Sequence, residues 1–187
     1  HSMYAIAAPS KSIEHRQTMF GEARIPLSVI DIPEMAQRNI AALLEPAGRG
    51  LAMLSFDAEG GLLTFSADGE LYLARHLDVT LPQLLQADAE QRAACHEKVT
   101  LELQRSLDHF DRQYHYVTVA KLVLAPMASD SAGLQEYLAE NLYIPVEMLD
   151  LASVFDFSHA PALQQPEQQQ RYFMALGAAL RHEEKAL

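Results

Sequence analysis

Apolar positions recur along this chain in two rhythms, one strand-like and one helical, and they divide it into elements. The apolar run 3–8 (MYAIAA) is short enough for a strand, and 9–23 follows as a helix opened by Pro9, with Gly21 near its end. Residues 25–32 (IPLSVIDI) read as a second strand. Pro33 then opens a helix over 33–44, with Met35, Ile40, Leu43 and Leu44 at helical spacing. From there the pattern tightens. Residues 50–56 (GLAMLSF) form a continuous apolar run, the mark of a buried strand. Residues 61–66 and 70–75 flank Asp68-Gly69 as the arms of a hairpin. In the second arm Leu71 and Leu73 alternate with Glu70 and Tyr72, which predicts a strand wetted on one side.

A helical turn at 81–86 leads into a long helix from about 88 to 114, whose stripe of Val99, Leu103, Leu107 and Phe110 faces a core. Residues 116–125 are a strand, 129–142 a helix with an Asp or Ser cap, and 144–149 a strand. The polar, Gln-rich stretch 158–170 reads as a loop and helix start before a last helix at 171–184. From Arg49 onward the order is β-β-β-α-β-α-β-α. Three antiparallel strands followed by alternating helices and strands specify a mixed sheet covered on both faces. This α/β arrangement is the ribonuclease H-like topology, found singly in nucleases and in tandem in actin-like ATPases. Residues 1–3 read as a tag remnant, 4–48 as the β-α-β-α end of a first actin-like lobe, and 49–187 as the second lobe.

Charge narrows the function. The chain carries 14 Lys and Arg against 25 Asp and Glu, a net charge of -11 over 187 residues. Such a surface repels phosphate backbones and anionic lipid, so neither nucleic acid nor direct membrane insertion is expected. No apolar run approaches the roughly 20 residues of a membrane span. Hydrophobic content of 49% supports a full core. The single cysteine, Cys95, has no disulfide partner within the chain, which suits a reducing compartment.

The candidate chemistry lies between Asp57 and Gly61. A nuclease of this topology needs carboxylates that hold two metal ions about 4 Å apart. Asp57 with Glu97 or Glu102 would begin such a set, but Ala125 and Pro126 stand where the fourth strand must supply another, and Asp130 comes too late. An actin-like ATPase instead needs an Asp near Mg2+ and glycines that let backbone amides reach phosphate. Asp57, Gly60 and Gly61 meet that demand in part, while Glu59 adds a repelling carboxylate. A second glycine pair is replaced by Ala125-Pro126, and proline has no N–H to offer. Read without a ligand, 57–61 is an ordinary surface turn between strands. His96, His109 and His115 lack the spacing of a zinc pair. No catalytic residue, metal or cofactor is therefore expected, and this nucleotide loop is read as degenerate.

Three segments carry a family likeness: 28–44 (SVIDIPEMAQRNIAALL), 101–114 (LELQRSLDHFDRQY) and 173–181 (FMALGAALR). They resemble the MshI proteins of mannose-sensitive haemagglutinin (MSHA) pilus biogenesis and the wider PilM and GspL cytoplasmic group. The likeness runs from Tyr4 to Arg181, and Asp31–Asn39 is its most specific piece. The resemblance implies an actin-like protein at the cytoplasmic face of the inner membrane. It implies as partners the inner-membrane assembly proteins and the assembly ATPase of a type IV pilus or type II secretion machine. PilM-like members can bind ATP, whereas GspL-like domains resemble scaffolds that have lost it. The substitutions at Glu59 and Ala125-Pro126 set this chain nearer the scaffolds. An ATP-binding, PilM-like protein is the alternative, and a sugar-kinase-like enzyme using Asp57 is a weaker one. Interface candidates are the helix at 33–44 and the final helix, with Arg38 and Arg181 facing acidic partners.

Overall fold

The computed structural model describes residues 6–86, 88–127 and 132–181. The chain divides into two compact units, one ending at Asp31 and the other beginning at Ile32. In the first, helix α1 (Ser10–Glu22) follows Pro9 and buries none of its residues. It is closed by Arg24 in the left-handed region at φ 55, with Ile25 N–H donating to the Phe20 carbonyl at 3.0 Å. Residues 6–8 and 25–32, expected as strands, are irregular. A strand is defined by its ladder of backbone hydrogen bonds. Here the apolar pattern is present without one, and Ile25 and Ile30 remain exposed.

The second unit contains every strand among the described residues. They are β1 (Gly50–Phe56), β2 (Gly61–Ala67), β3 (Glu70–Leu77), β4 (Val119–Leu124) and β5 (Val146–Met148). The five-stranded sheet runs β3-β2-β1-β4-β5. The first three strands pair antiparallel, and β4 and β5 add in parallel beside β1. The β2–β3 hairpin turns on Asp68 (φ 51) and Gly69 (φ 74), the two left-handed positions that an Asp-Gly turn supplies. A bulge in β3 corrects the expected alternation. Phe65 pairs with Leu73 and Ser66 with Leu71, so Tyr72 is the extra residue. Its ring meets Phe110 edge-on at 6.2 Å, on the covered side of the sheet.

Helices α2 (Pro33–Ala41), α3 (Leu81–Leu84), α4 (Ala89–Gln113), α5 (Ala132–Asn141) and α6 (Pro166–Ala179) complete the unit, with short 3-10 turns at 151–153 and 161–164. The cap expected for α5 lies outside the described residues. The last helix begins at Pro166 rather than 171, because the Gln-rich stretch is itself helical and Gln169 is buried within it.

One face of the sheet is apolar throughout. Val99, Leu103, Leu107 and Phe110 of α4, with Leu134 and Leu138 of α5, cover Ala52, Leu54, Leu63 and Phe65. Phe65 stacks on Phe110 at 4.8 Å. The other face is covered by α2 and α6 around Ile40, Leu51, Met53, Val123 and Phe173. The inward residues of α2 are Ala36, Gln37, Asn39, Ile40 and Ala41. This departs from the expected stripe, since Leu43 is 49% exposed. The small side chain of Ala36 and the missing one of Gly177 let the two helices touch. A Cβ on Gly177 would lie 2.1 Å from the Ala36 carbonyl oxygen.

Candidate functional site

Asp57 follows β1 directly and opens the turn to β2, as its position after a buried apolar run predicts. The turn is closed by its own groups. The Asp57 N–H donates to the Gly60 carbonyl at 2.9 Å, and the Leu81 N–H at the start of α3 donates to the Asp57 carbonyl at 2.7 Å. The carboxylate oxygen Oδ1 of Asp57 accepts from the backbone N–H of Glu59 at 2.8 Å and of Gly60 at 2.9 Å. This is a local Asx turn, and it engages the amides that a phosphate would need.

The glycines have structural reasons of their own. A Cβ on Gly60 would lie 2.8 Å from the Leu77 carbonyl oxygen, and one on Gly61 would lie 2.8 Å from Cε1 of Phe56. Neither glycine has a left-handed φ; both are required by close approach to β3 and β1.

Beside the turn is a cavity of about 360 Å³, lined by Pro33, Ser55, Asp57, Glu59, Gly60, Gly61, Leu62, His76, Leu77 and Met174. Two carboxylates reach it, and His76 Nε2 lies 3.2 Å from Oε1 of Glu34 at its α2 side. Beneath it is a buried amide that periodicity did not single out. Gln37 is fully buried, and its Nε2 lies within hydrogen-bond distance of the Met53 carbonyl (2.9 Å), the Leu62 carbonyl (3.1 Å) and Thr64 Oγ1 (2.9 Å). Ser55 Oγ donates to Gln37 Oε1 at 2.6 Å. This residue ties α2 to β1 and β2 directly under the turn. The available signal was its place on the Ile40–Ala41 side of α2, where a polar residue must bring its own partners inside.

The other pair considered for a nucleotide site, Ala125-Pro126, directly follows β4. Ala125 is buried, its N–H donates to the Leu54 carbonyl at 2.8 Å, and Pro126 is buried beside it. Neither lines the cavity at Asp57. Among the described residues no group of three or more His, Cys, Asp or Glu is placed to hold a metal ion. Asp130 lies outside those residues. His96 is buried against the Tyr137 ring at 5.5 Å, and burial, then the neighbouring Arg92, lowers its pKa. Cys95 is a free thiol packed at the edge of the core. No described helix is long and apolar enough to cross a membrane.

The helices offered as interface candidates are used in packing. Arg38 Nη1 donates to the Gly69 carbonyl at 2.6 Å and so clamps the β2–β3 turn, whose Gly69 N–H donates to Glu45 Oε2 at 2.8 Å. Asn39 Nδ2 donates to the Gly177 carbonyl at 2.9 Å and so locks α2 to α6.

No family model matches the chain, and no curated protein matches it significantly. Among solved structures, it superposes on the "PilM-PilN type IV pilus biogenesis complex" with a TM-score of 0.72 at 20% identity. The match covers 91% of this chain and 57% of that one, so this chain spans little more than half of its length. A Bacteroides thetaiotaomicron protein "with actin-like ATPase fold and unknown function" matches at TM-score 0.43 and 13% identity, over 70% of this chain and 42% of that one. An Aquifex aeolicus Ppx/GppA phosphatase matches at TM-score 0.40 and 18% identity, over 54% of this chain and 35% of that one. These last two superpose too loosely to bear on the fold. The sheet order is that of a ribonuclease H-like mixed α/β fold, and the first match shares that fold over most of this chain.

Proposed function

We propose that this chain is a non-catalytic, cytoplasmic scaffold of type IV pilus biogenesis, of the MSHA type and similar to MshI. It would link inner-membrane assembly proteins to the assembly ATPase through protein contacts, as GspL-like domains of type II secretion are expected to do. Its fold neighbour belongs to a PilM–PilN pilus complex, and the Asp31–Asn39 run carries the MshI-like likeness. The observation that carries the non-catalytic reading is the self-capped turn, in which Asp57 Oδ1 already holds the amides of Glu59 and Gly60. A phosphate there would have to displace that carboxylate and approach Glu59.

Co-purification of the full-length protein with the inner-membrane proteins of its pilus system is the test. Retention of at least one of them is expected, and a protein that ignores them all rejects the proposal. One observation favours the alternative of an ATP-binding, PilM-like protein: the cavity of about 360 Å³ opens at this same turn. That reading requires the Asp57 carboxylate to swing away from the amides of Glu59 and Gly60 when nucleotide enters.

A further inference from the structure

A second concavity lies on the opposite side of β3, between that strand and α4. It is a shallow, open depression of about 500 Å³, lined by Arg75, Arg105, His109, Arg112 and Gln113. Arg105, His109 and Arg112 recur at i, i+4 and i+7, so they share one stripe of α4, and Arg75 forms the facing wall from β3. Three of the chain's 14 Lys and Arg thus meet in one hollow of a protein with net charge -11.

The guanidinium groups are held in place by the helix itself. Arg75 Nη1 donates to Ser106 Oγ at 3.3 Å, and Arg112 Nε donates to the Asp108 carbonyl at 3.0 Å. Arg105 Nη1 pairs with Glu102 Oε1 at 2.9 Å. Among the described residues neither Arg75 nor Arg112 has a carboxylate at ion-pair distance. A concave cluster of one sign focuses its field and selects ligands of the other, and guanidinium forks suit carboxylates.

The neighbouring strand indicates what kind of anion fits. β3 is the terminal strand of the sheet, eight residues long, so its outer edge has no strand partner among the described residues. Such an edge accepts an extended polypeptide. A charge on an edge strand also serves to repel other strands, which alone would account for Arg75. It does not account for the four polar or basic groups on α4, a helix with no edge to guard. Along the same edge Tyr72, Tyr114 and Tyr116 cluster, with Tyr116 68% exposed. The Tyr114 hydroxyl donates to the Tyr72 carbonyl at 3.0 Å, which directs strand pairing to 73–77. Long polyanions are disfavoured by the acidic remainder of the surface.

We infer that the groove between α4 and β3 docks a short, extended, acidic segment of a partner protein, with its carboxylates against Arg75, Arg105 and Arg112 and its backbone along 73–77. This goes beyond the scaffold reading, because it holds whether or not the Asp57 turn takes nucleotide.

A fluorescein-labelled peptide alternating Glu with Val and Thr, titrated by anisotropy into the full-length protein, tests it. Saturable binding is expected, weakened about tenfold or more by Arg105→Glu combined with Arg112→Glu, and weakened by added salt. Replacing each peptide Glu by Gln should abolish binding, a control that does not depend on how a protein variant folds. Hydrogen exchange at 73–77 should slow when the peptide binds. Absence of saturable binding, indifference to either substitution, or binding without protection at 73–77 overturns the inference. Tighter binding of a single-stranded oligonucleotide or of phosphatidylserine vesicles at the same arginines overturns it as well.

Discussion

On one face of the sheet α4 and α5 pack chiefly through apolar side chains; on the other, buried amides add directed hydrogen bonds to the apolar core between the sheet, α2 and α6. Phe65, Leu103, Leu107 and Phe110 fill the first face with area and ring contact. On the second face Gln37, Asn39 and Gln169 are buried, and each reaches a backbone group of another element. Gln169 accepts from the Leu151 N–H at 2.7 Å and donates to Asp150 Oδ1 at 2.7 Å. Apolar contact tolerates small slides, whereas directed hydrogen bonds fix register. The face beneath the Asp57 turn is therefore the one built for position, and the α4 face is the one built for bulk stability.

Substitutions can break this contrast. The largest effect is expected from Phe110→Ala, which removes a fully buried ring and its stack on Phe65 and should cost about 3–5 kcal/mol in chemical denaturation. Next is Gly177→Ala, at about 3 kcal/mol, since its methyl would collide with the Ala36 carbonyl and force α6 off α2. Near-wild-type stability would mean that the two helices separate freely. Gln37→Leu keeps much of the volume but strips the amide, leaving the Ser55 hydroxyl without its acceptor, and should cost about 2 kcal/mol. If that variant is as stable as the parent, the amide face is held by apolar packing after all and the contrast fails.

The smallest expected effect is a pH slope. His96 has its pKa lowered by burial and then by Arg92, so the folded state favours the neutral ring. Its contribution is complete above the unfolded value of 6.5 and is lost as pH falls below it towards the lowered folded value. Melting temperature should therefore drop between neutral pH and pH 5 more steeply in the parent than in His96→Gln.

The same contrast explains what the sequence made legible. The α4 stripe, the buried β1 run and the Asp-Gly hairpin announced themselves because apolar periodicity and left-handed turn residues are local signals. The α2 face did not, because Gln37 and Asn39 count as surface residues in any apolar pattern. Only their partners on β1, β2 and α6, far away in sequence, make them core. The bulge at Tyr72 was hidden for a related reason: register depends on the partner strand, and alternation within β3 alone cannot show an inserted residue. Apolar residues at 25–32 look like a strand, but a ladder is needed to make one. At the candidate site, Asp57, Gly60 and Gly61 were identified correctly as a turn after β1. That the carboxylate folds back onto the amides of Glu59 and Gly60, and that Gly60 and Gly61 are needed for packing against Leu77 and Phe56, depends on contacts in the folded chain that no local pattern carries.

Isothermal titration of Mg-ATP into the full-length protein tests most directly whether the turn at Asp57 has given up nucleotide. No saturable heat is expected into the millimolar range, and the same flat trace is expected for Asp57→Ala. Micromolar binding that disappears on Asp57→Ala would contradict it.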